Sequence, residues 1–102
     1  MTPKLVDRIP RERGDGEVWD VGGGYHLLVL PEGEAAYVSG YRTKDRKEGE
    51  WLSLEVERVA KEHGLWLETS PGIDIIMVVV RSDNVATLLQ ACAEHLARRA
   101  SS

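Results

Sequence analysis

Residues 73–81, IDIIMVVVR, constrain the fold more than any other segment of the chain. A short apolar run rich in β-branched residues is typical of a buried strand. Successive side chains of a strand point to opposite faces, so Met77 and Val79 share one face while Val78 and Val80 share the other. A strand that is apolar on both faces needs cover on both. We therefore expect helices on one side and another surface on the other.

The rest of the chain supplies strands and helices in a definite order. Alternating or dense apolar patterns predict strands over 17–21, 25–30, 35–41 and 65–70, in addition to 73–81. The 102 residues fit one domain over 17–100, preceded by an arm or tail over 1–16. The fold class predicted is α+β, an antiparallel five-stranded sheet (β-β-β-α-β-β-α) with two helices on one face. The predicted sheet order is 17–21, 25–30, 35–41, 73–80, 65–69.

Three consecutive glycines, Gly22 to Gly24, raise the question of a phosphate-binding loop. Such a loop lies between a strand and a helix, and a strand follows these glycines instead. The glycines are better suited to the positive φ angles of a tight hairpin turn. A second turn is predicted over 31–34, and Pro71–Gly72 marks a third.

The first helix has clear end signals. Its pattern runs from Trp51 to His63, and Asp45 with Glu48 forms a possible capping box that would start it earlier, although Gly49 disfavours a strong helix there. Gly64 is a natural stop. The expected buried stripe contains Leu52, Val56, Val59, Ala60 and His63. The second helix is predicted to start at Ser82, Asp83 or Asn84, with Val85, Leu88, Leu89, Cys92 and Leu96 on its apolar stripe.

Tyr37 and Tyr41 lie on one face of the strand 35–41, whereas Ala36, Val38 and Gly40 form a small opposite face that lets helices approach closely. The tyrosines then face the helix-free side, together with one apolar face of 73–80. An exposed apolar surface of that kind indicates a partner. We expect a homodimer or a protein partner to cover it.

The chain from AYVSGY (36–41), through VAKEHGLWLE (59–68), to GIDIIMVVVRSDNVATLLQACAEHL (72–96) resembles ACT domains, which are small regulatory modules with a ferredoxin-like fold. The resemblance covers about two-thirds of the chain at the level of pattern. It implies an amino-acid ligand near the start of the first helix, where this chain has RTKDRKEGE (42–50). The glycine- and proline-bearing turn of that family is represented only by Gly49, and a last strand after the second helix is missing.

Composition narrows the function. A net charge of −4 argues against nucleic acid as a partner. The sequence predicts no metal, no cofactor and no set of catalytic residues, and Cys92 is expected to be a buried thiol. With no apolar segment of membrane-spanning length and no signal peptide pattern, we expect a cytoplasmic protein without membrane contact.

The leading hypothesis is a non-enzymatic regulatory or small-molecule-sensing module that acts through dimerisation. The first alternative is a small acidic protein-binding inhibitor, such as an immunity or anti-defence protein. Further alternatives are an enzyme with a shallow interface site and a nucleic-acid binder that uses an open sheet face. The residues predicted to contact a ligand or partner are Tyr37, Tyr41, Arg42, Lys44, Trp66 and Asp74.

Overall fold

The computed structural model describes residues 2–72 and 75–101, which form six strands and two helices. A single 3₁₀ turn, Ser82–Asn84, precedes the second helix. The elements are β1 (Lys4–Ile9), β2 (Gly16–Gly22), β3 (Tyr25–Glu32), β4 (Ala35–Tyr41), α1 (Arg46–Glu62), β5 (Leu67–Pro71), β6 (Ile76–Arg81) and α2 (Val85–Ser101). The start of the strand expected at 73–81, including Asp74, falls partly outside the described residues.

The sheet order is β1-β2-β3-β4-β6-β5, and all neighbouring strands are antiparallel. The predicted order of the five strands from 17–21 to 65–69 is confirmed. The predicted strand number is wrong, because a sixth strand, β1, adds to the edge beside β2. Strand β1 lies within the segment 1–16 that the sequence indicated as an arm or tail.

Both helices pack on one face of the sheet. The chain runs from β4 through α1 to β5, and β6 then lies in the sheet between these two strands. Val38 of β4 is opposite Val78 of β6, and both are fully buried. They join the core formed with the apolar sides of α1 and α2. The face of β6 that carries Val78 therefore obtains its cover from the helices.

The glycine turn is confirmed as a turn. Gly22 pairs with Tyr25, which leaves Gly23 and Gly24 as a two-residue hairpin loop. Their φ values are 64° and 82°, a region that residues with a Cβ rarely adopt. Strand β3 follows directly, so the loop does not open a helix.

Helix α1 approaches β4 closely because both contribute glycines to the contact. A Cβ at Gly40 would lie 2.9 Å from the carbonyl oxygen of Gly49 and 3.0 Å from Cβ of Leu52. Asp45 is the N-cap and accepts a hydrogen bond from the amide of Glu48, so the helix starts at the earlier of the two predicted positions and Gly49 lies inside it. His63, expected on the buried stripe, is exposed at the C-cap.

The helix-free face is partly covered by the curl of the sheet itself. Asp7 of β1 and Arg42, just after β4, form an ion pair of 2.6 Å. In a flat sheet these strands would be about 14 Å apart, so the sheet must bend towards its helix-free side. Val18 lies between them in register on that side and is completely buried, although no helix packs on it.

Candidate functional site

The first candidate surface is the helix-free face of the sheet. Tyr37 is opposite Val79, and Tyr41 is opposite His26, so both tyrosines lie on this face as the strand periodicity predicts. Val79 retains 9% exposure, while Tyr37 and Tyr41 are half-buried. Large side chains of the neighbouring strands continue the same surface: Leu28, Leu30 and Met77.

Arg42 borders this face at the end of β4. It has φ of 52°, the only positive φ among the described non-glycine residues. Its guanidinium pairs with Asp7 and lies 5.9 Å from the centre of the Tyr41 ring. The sequence singles out Arg42 by position, but its partner is 35 residues away and had no sequence signal. Arg42 and Tyr41 thus lie together at the edge of the helix-free face, where a cation stands beside an aromatic ring.

Trp66 occupies the opposite end of the same face. It is 51% exposed and lines a shallow depression of about 460 Å³ with Glu32, Glu34, Ala35 and Arg81. The Arg81 guanidinium is exposed and has a loose contact of 3.6 Å with Asp83. Tryptophan and arginine are both residue types that are enriched in binding hot spots.

The second candidate surface is a cleft at the start of α1, on the helix side of the molecule. It has a volume of about 390 Å³. Lys44, which the sequence grouped with the tyrosines, lies here instead. The walls of the cleft are Tyr25, Lys44, Asp45, Lys47, Glu48 and Trp51.

An aromatic pair forms one wall of this cleft. The ring centres of Tyr25 and Trp51 are 5.6 Å apart with planes inclined by 48°. Behind them, the guanidinium of Arg99 lies 5.3 Å from the Trp51 ring. The two acids of the cleft both serve the helix cap: Asp45 accepts from the Glu48 amide, and Glu48 accepts from the Lys44 amide. The cleft therefore offers aromatic surface and both signs of charge.

Sequence reasoning missed a buried charged cluster between the helices. Glu55 is only 3% exposed, and its carboxylate lies 3.0 Å from Arg99 and 3.3 Å from Nε2 of His95. The helical period was a usable signal, since Glu55 falls between Leu52 and Val56 at the margin of the apolar stripe. Cys92 lies nearby, and burial, assisted by the Glu55 charge, raises the pKa of its thiol to about 12. The thiol is therefore protonated and a poor nucleophile at neutral pH.

Asp74, the sixth predicted site residue, lies outside the described residues. Within 2–72 and 75–101, no three histidine, cysteine, aspartate or glutamate side chains are grouped so that they could hold a metal. None of the described helices is both long enough and apolar enough to cross a membrane. No family model, curated protein or solved structure matches this chain.

Proposed function

We propose that this chain is a non-enzymatic regulatory module of ACT-like build that acts as a homodimer and responds to a small molecule. The observation that carries the proposal is the helix-free face, where Tyr37, Tyr41 and Met77 remain half-buried and neither of the two described helices packs on them. An apolar and aromatic surface of this kind favours a partner or ligand over bulk water.

The cleft at the start of α1 supports a small zwitterionic ligand of the amino-acid type. The ammonium groups of Lys44 and Lys47 suit a carboxylate. The Asp45 carboxylate, which uses Oδ1 in the helix cap, suits an ammonium group. The Tyr25–Trp51 pair supplies an apolar wall for the remainder of the ligand. The resemblance to ACT domains implies a ligand in the same part of the fold.

Dimerisation is tested by the mass of the wild-type chain in solution. Multi-angle light scattering after size exclusion, over a range of concentrations, should give twice the chain mass of 11.4 kDa. A dimer that is the working form of the protein should persist at micromolar concentration. A monomer mass at every concentration would contradict the proposal.

Ligand sensing is tested by thermal unfolding of the wild type with the proteinogenic amino acids as probes. A ligand that binds only the native state raises the midpoint. Lys44→Ala should abolish the shift produced by the best probe, because it removes a cation of the cleft. Lys61→Ala is the matched control, since Lys61, like Lys44, pairs with a glutamate of α1 four residues away but does not line the cleft. No shift with any probe, or an equal shift in both variants, would contradict the sensing role.

A protein-binding inhibitor is the second candidate, and the exposed Trp66 beside Arg81 favours it. An inhibitor would use these residues as anchors on a different protein and would itself remain a monomer. The same light-scattering experiment therefore distinguishes the two functions.

A further inference from the structure

We infer that the ion pair between Asp7 and Arg42 is a latch that closes the sheet over part of its helix-free face, and that its release opens this face without unfolding the domain. Asp7 belongs to β1 and Arg42 follows β4, so the pair joins two strands that β2 and β3 separate in the sheet. The inference rests on the proposed function in one respect, namely that the face it uncovers is used for association.

The latch closes over an apolar side chain. Val18 of β2 is opposite Asp7 on one side and Leu28 of β3 on the other, and all three side chains point to the helix-free face. Neither described helix packs on that face, yet Val18 is completely buried. The curl of the sheet, which the Asp7–Arg42 pair closes, therefore supplies the cover over Val18.

The two ends of the β1–β2 hairpin are held differently. Its loop carries Arg11 and Arg13, which both pair with Glu32 at the end of β3. Close by, Gly16 lies directly against Leu30, since a Cβ on Gly16 would be 2.9 Å from Cδ2 of that leucine. Strand β1 itself contributes little burial, because five of its six residues are exposed. The loop end is thus anchored to β3, and the rest of β1 can swing away once Asp7 releases Arg42.

Two features oppose the closed state. Arg42 has a φ of 52°, a conformation that strains a residue with a Cβ. His26 is opposite Tyr41 on the same face, and its Nδ1 is buried without a hydrogen-bond partner among the described residues. Water that enters on opening would satisfy this nitrogen. Because both side chains of the latch are about half-exposed, salt also weakens their attraction.

Release of the latch enlarges the surface offered to a second copy. In the closed state Val18 is covered and Leu28 is half-buried, whereas in the open state both lie beside Tyr41 on one continuous face. A partner that binds only the open state shifts the equilibrium towards it. The latch is therefore a restraint on association that the chain carries within its own sheet.

A cysteine at position 18 measures the opening. Val18→Cys is combined with Cys92→Ala, so that the new thiol is the only one in the chain, and the rate of its modification by a small thiol reagent is followed. Val38→Cys in the same background is the matched control, because Val38 is equally buried but lies beneath the helices. Circular dichroism verifies that each variant is folded.

Asp7→Arg should raise the rate at position 18 about tenfold, because it replaces an attraction by a repulsion between like charges, and should leave the rate at position 38 unchanged. Adding Arg42→Asp restores an ion pair of opposite polarity and should return the rate at position 18 to its starting value. Aspartate is among the residues that tolerate a positive φ. Equal acceleration at both positions, or none at position 18, would overturn the latch.

A dilution series separates the latch from the proposed dimer. Cover by a second copy weakens on dilution, whereas cover by the latch does not depend on concentration. A rate at position 18 that is constant on dilution and raised by Asp7→Arg supports the latch even where light scattering gives a monomer and so contradicts the proposed function. A rate that changes with dilution and not with Asp7→Arg would assign the cover to a second copy and overturn the latch alone.

Discussion

The most heavily buried acidic side chain that the structure describes is Glu55. Its carboxylate contacts Arg99 and His95 of α2 and lies 3.5 Å from Nε of Arg58. Arg99 in turn lies over the ring of Trp51, a wall of the cleft at the start of α1. One buried carboxylate thus joins the two helices and holds the residue that supports the aromatic wall.

Glu55→Ala should lower the free energy of unfolding by about 2–4 kcal/mol. The substitution removes the buried carboxylate that Arg99 and His95 of α2 contact, and the loss of a buried ion pair is strongly destabilising. Because Arg99 is half-exposed, the loss should stay below the upper end of that range. Glu57→Ala is the matched control: Glu57 pairs with Lys61 at the surface of the same helix, and its loss should cost less than about 1 kcal/mol. Urea unfolding of the two variants makes the comparison, and equal losses would contradict a structural role for the buried cluster.

At the scale of helices and strands, the sequence predicts the features that depend on neighbouring residues or on a regular spacing of apolar side chains. The hairpin at Gly23–Gly24, the cap at Asp45 and the stop at Gly64 depend on neighbouring residues, and all three occur as expected. Strand β1 was missed because three of its six residues are charged and its pairing needs a bulge.

The same distinction applies to the candidate site. Strand parity alone places Tyr37 and Tyr41 on the helix-free face. The pairing of Arg42 with Asp7, and the position of Lys44 on the opposite side of the molecule, depend on the curl of the sheet and on the direction of α1. Contacts between residues distant in sequence leave no periodic signal in one chain.

The segment between β1 and β2 depends on one acid of β3. Arg11 lies 2.5 Å from Glu32, and Arg13 lies 3.4 Å from it. The hydrogen bond from Arg11, followed by that from Arg13, lowers the pKa of Glu32 below its ordinary value of 4.5. A lowered pKa in the folded state means that the ionised form stabilises the fold.

Glu32→Gln should therefore be less stable than the wild type at neutral pH, and the difference should vanish in acid. The stabilisation is present above the unfolded pKa and is lost as the pH falls through the folded pKa, which lies below 4.5. Thermal unfolding from pH 7 to pH 3 measures the difference. Glu34→Gln is the control, because the Glu34 side chain makes no ion pair with the residues described. A constant difference at all pH values would contradict the role of the ionised carboxylate.

At the scale of the whole molecule, one face of the sheet is covered by the two helices. The other face is covered only in part, where the sheet bends towards its helix-free side. Val78 and Val38 belong to the first face and are fully buried. Tyr37 belongs to the second and is half-buried. The stability of the fold and the capacity to associate thus reside on opposite sides of the same two strands, so substitutions on the two sides should have separable effects.

Val78→Asp should prevent folding, whereas Tyr37→Ala should preserve it. The aspartate loses about 2 kcal/mol of apolar burial and places a carboxyl group among helix side chains with no partner, at a cost of several kcal/mol more. The sum approaches the entire stability of a domain this size, roughly 5–15 kcal/mol. Tyr37→Ala removes a ring from the half-covered face and leaves the core beneath the helices intact. Circular dichroism with size exclusion compares the two, and a folded Val78→Asp protein would mean that β6 does not present this residue to the helices.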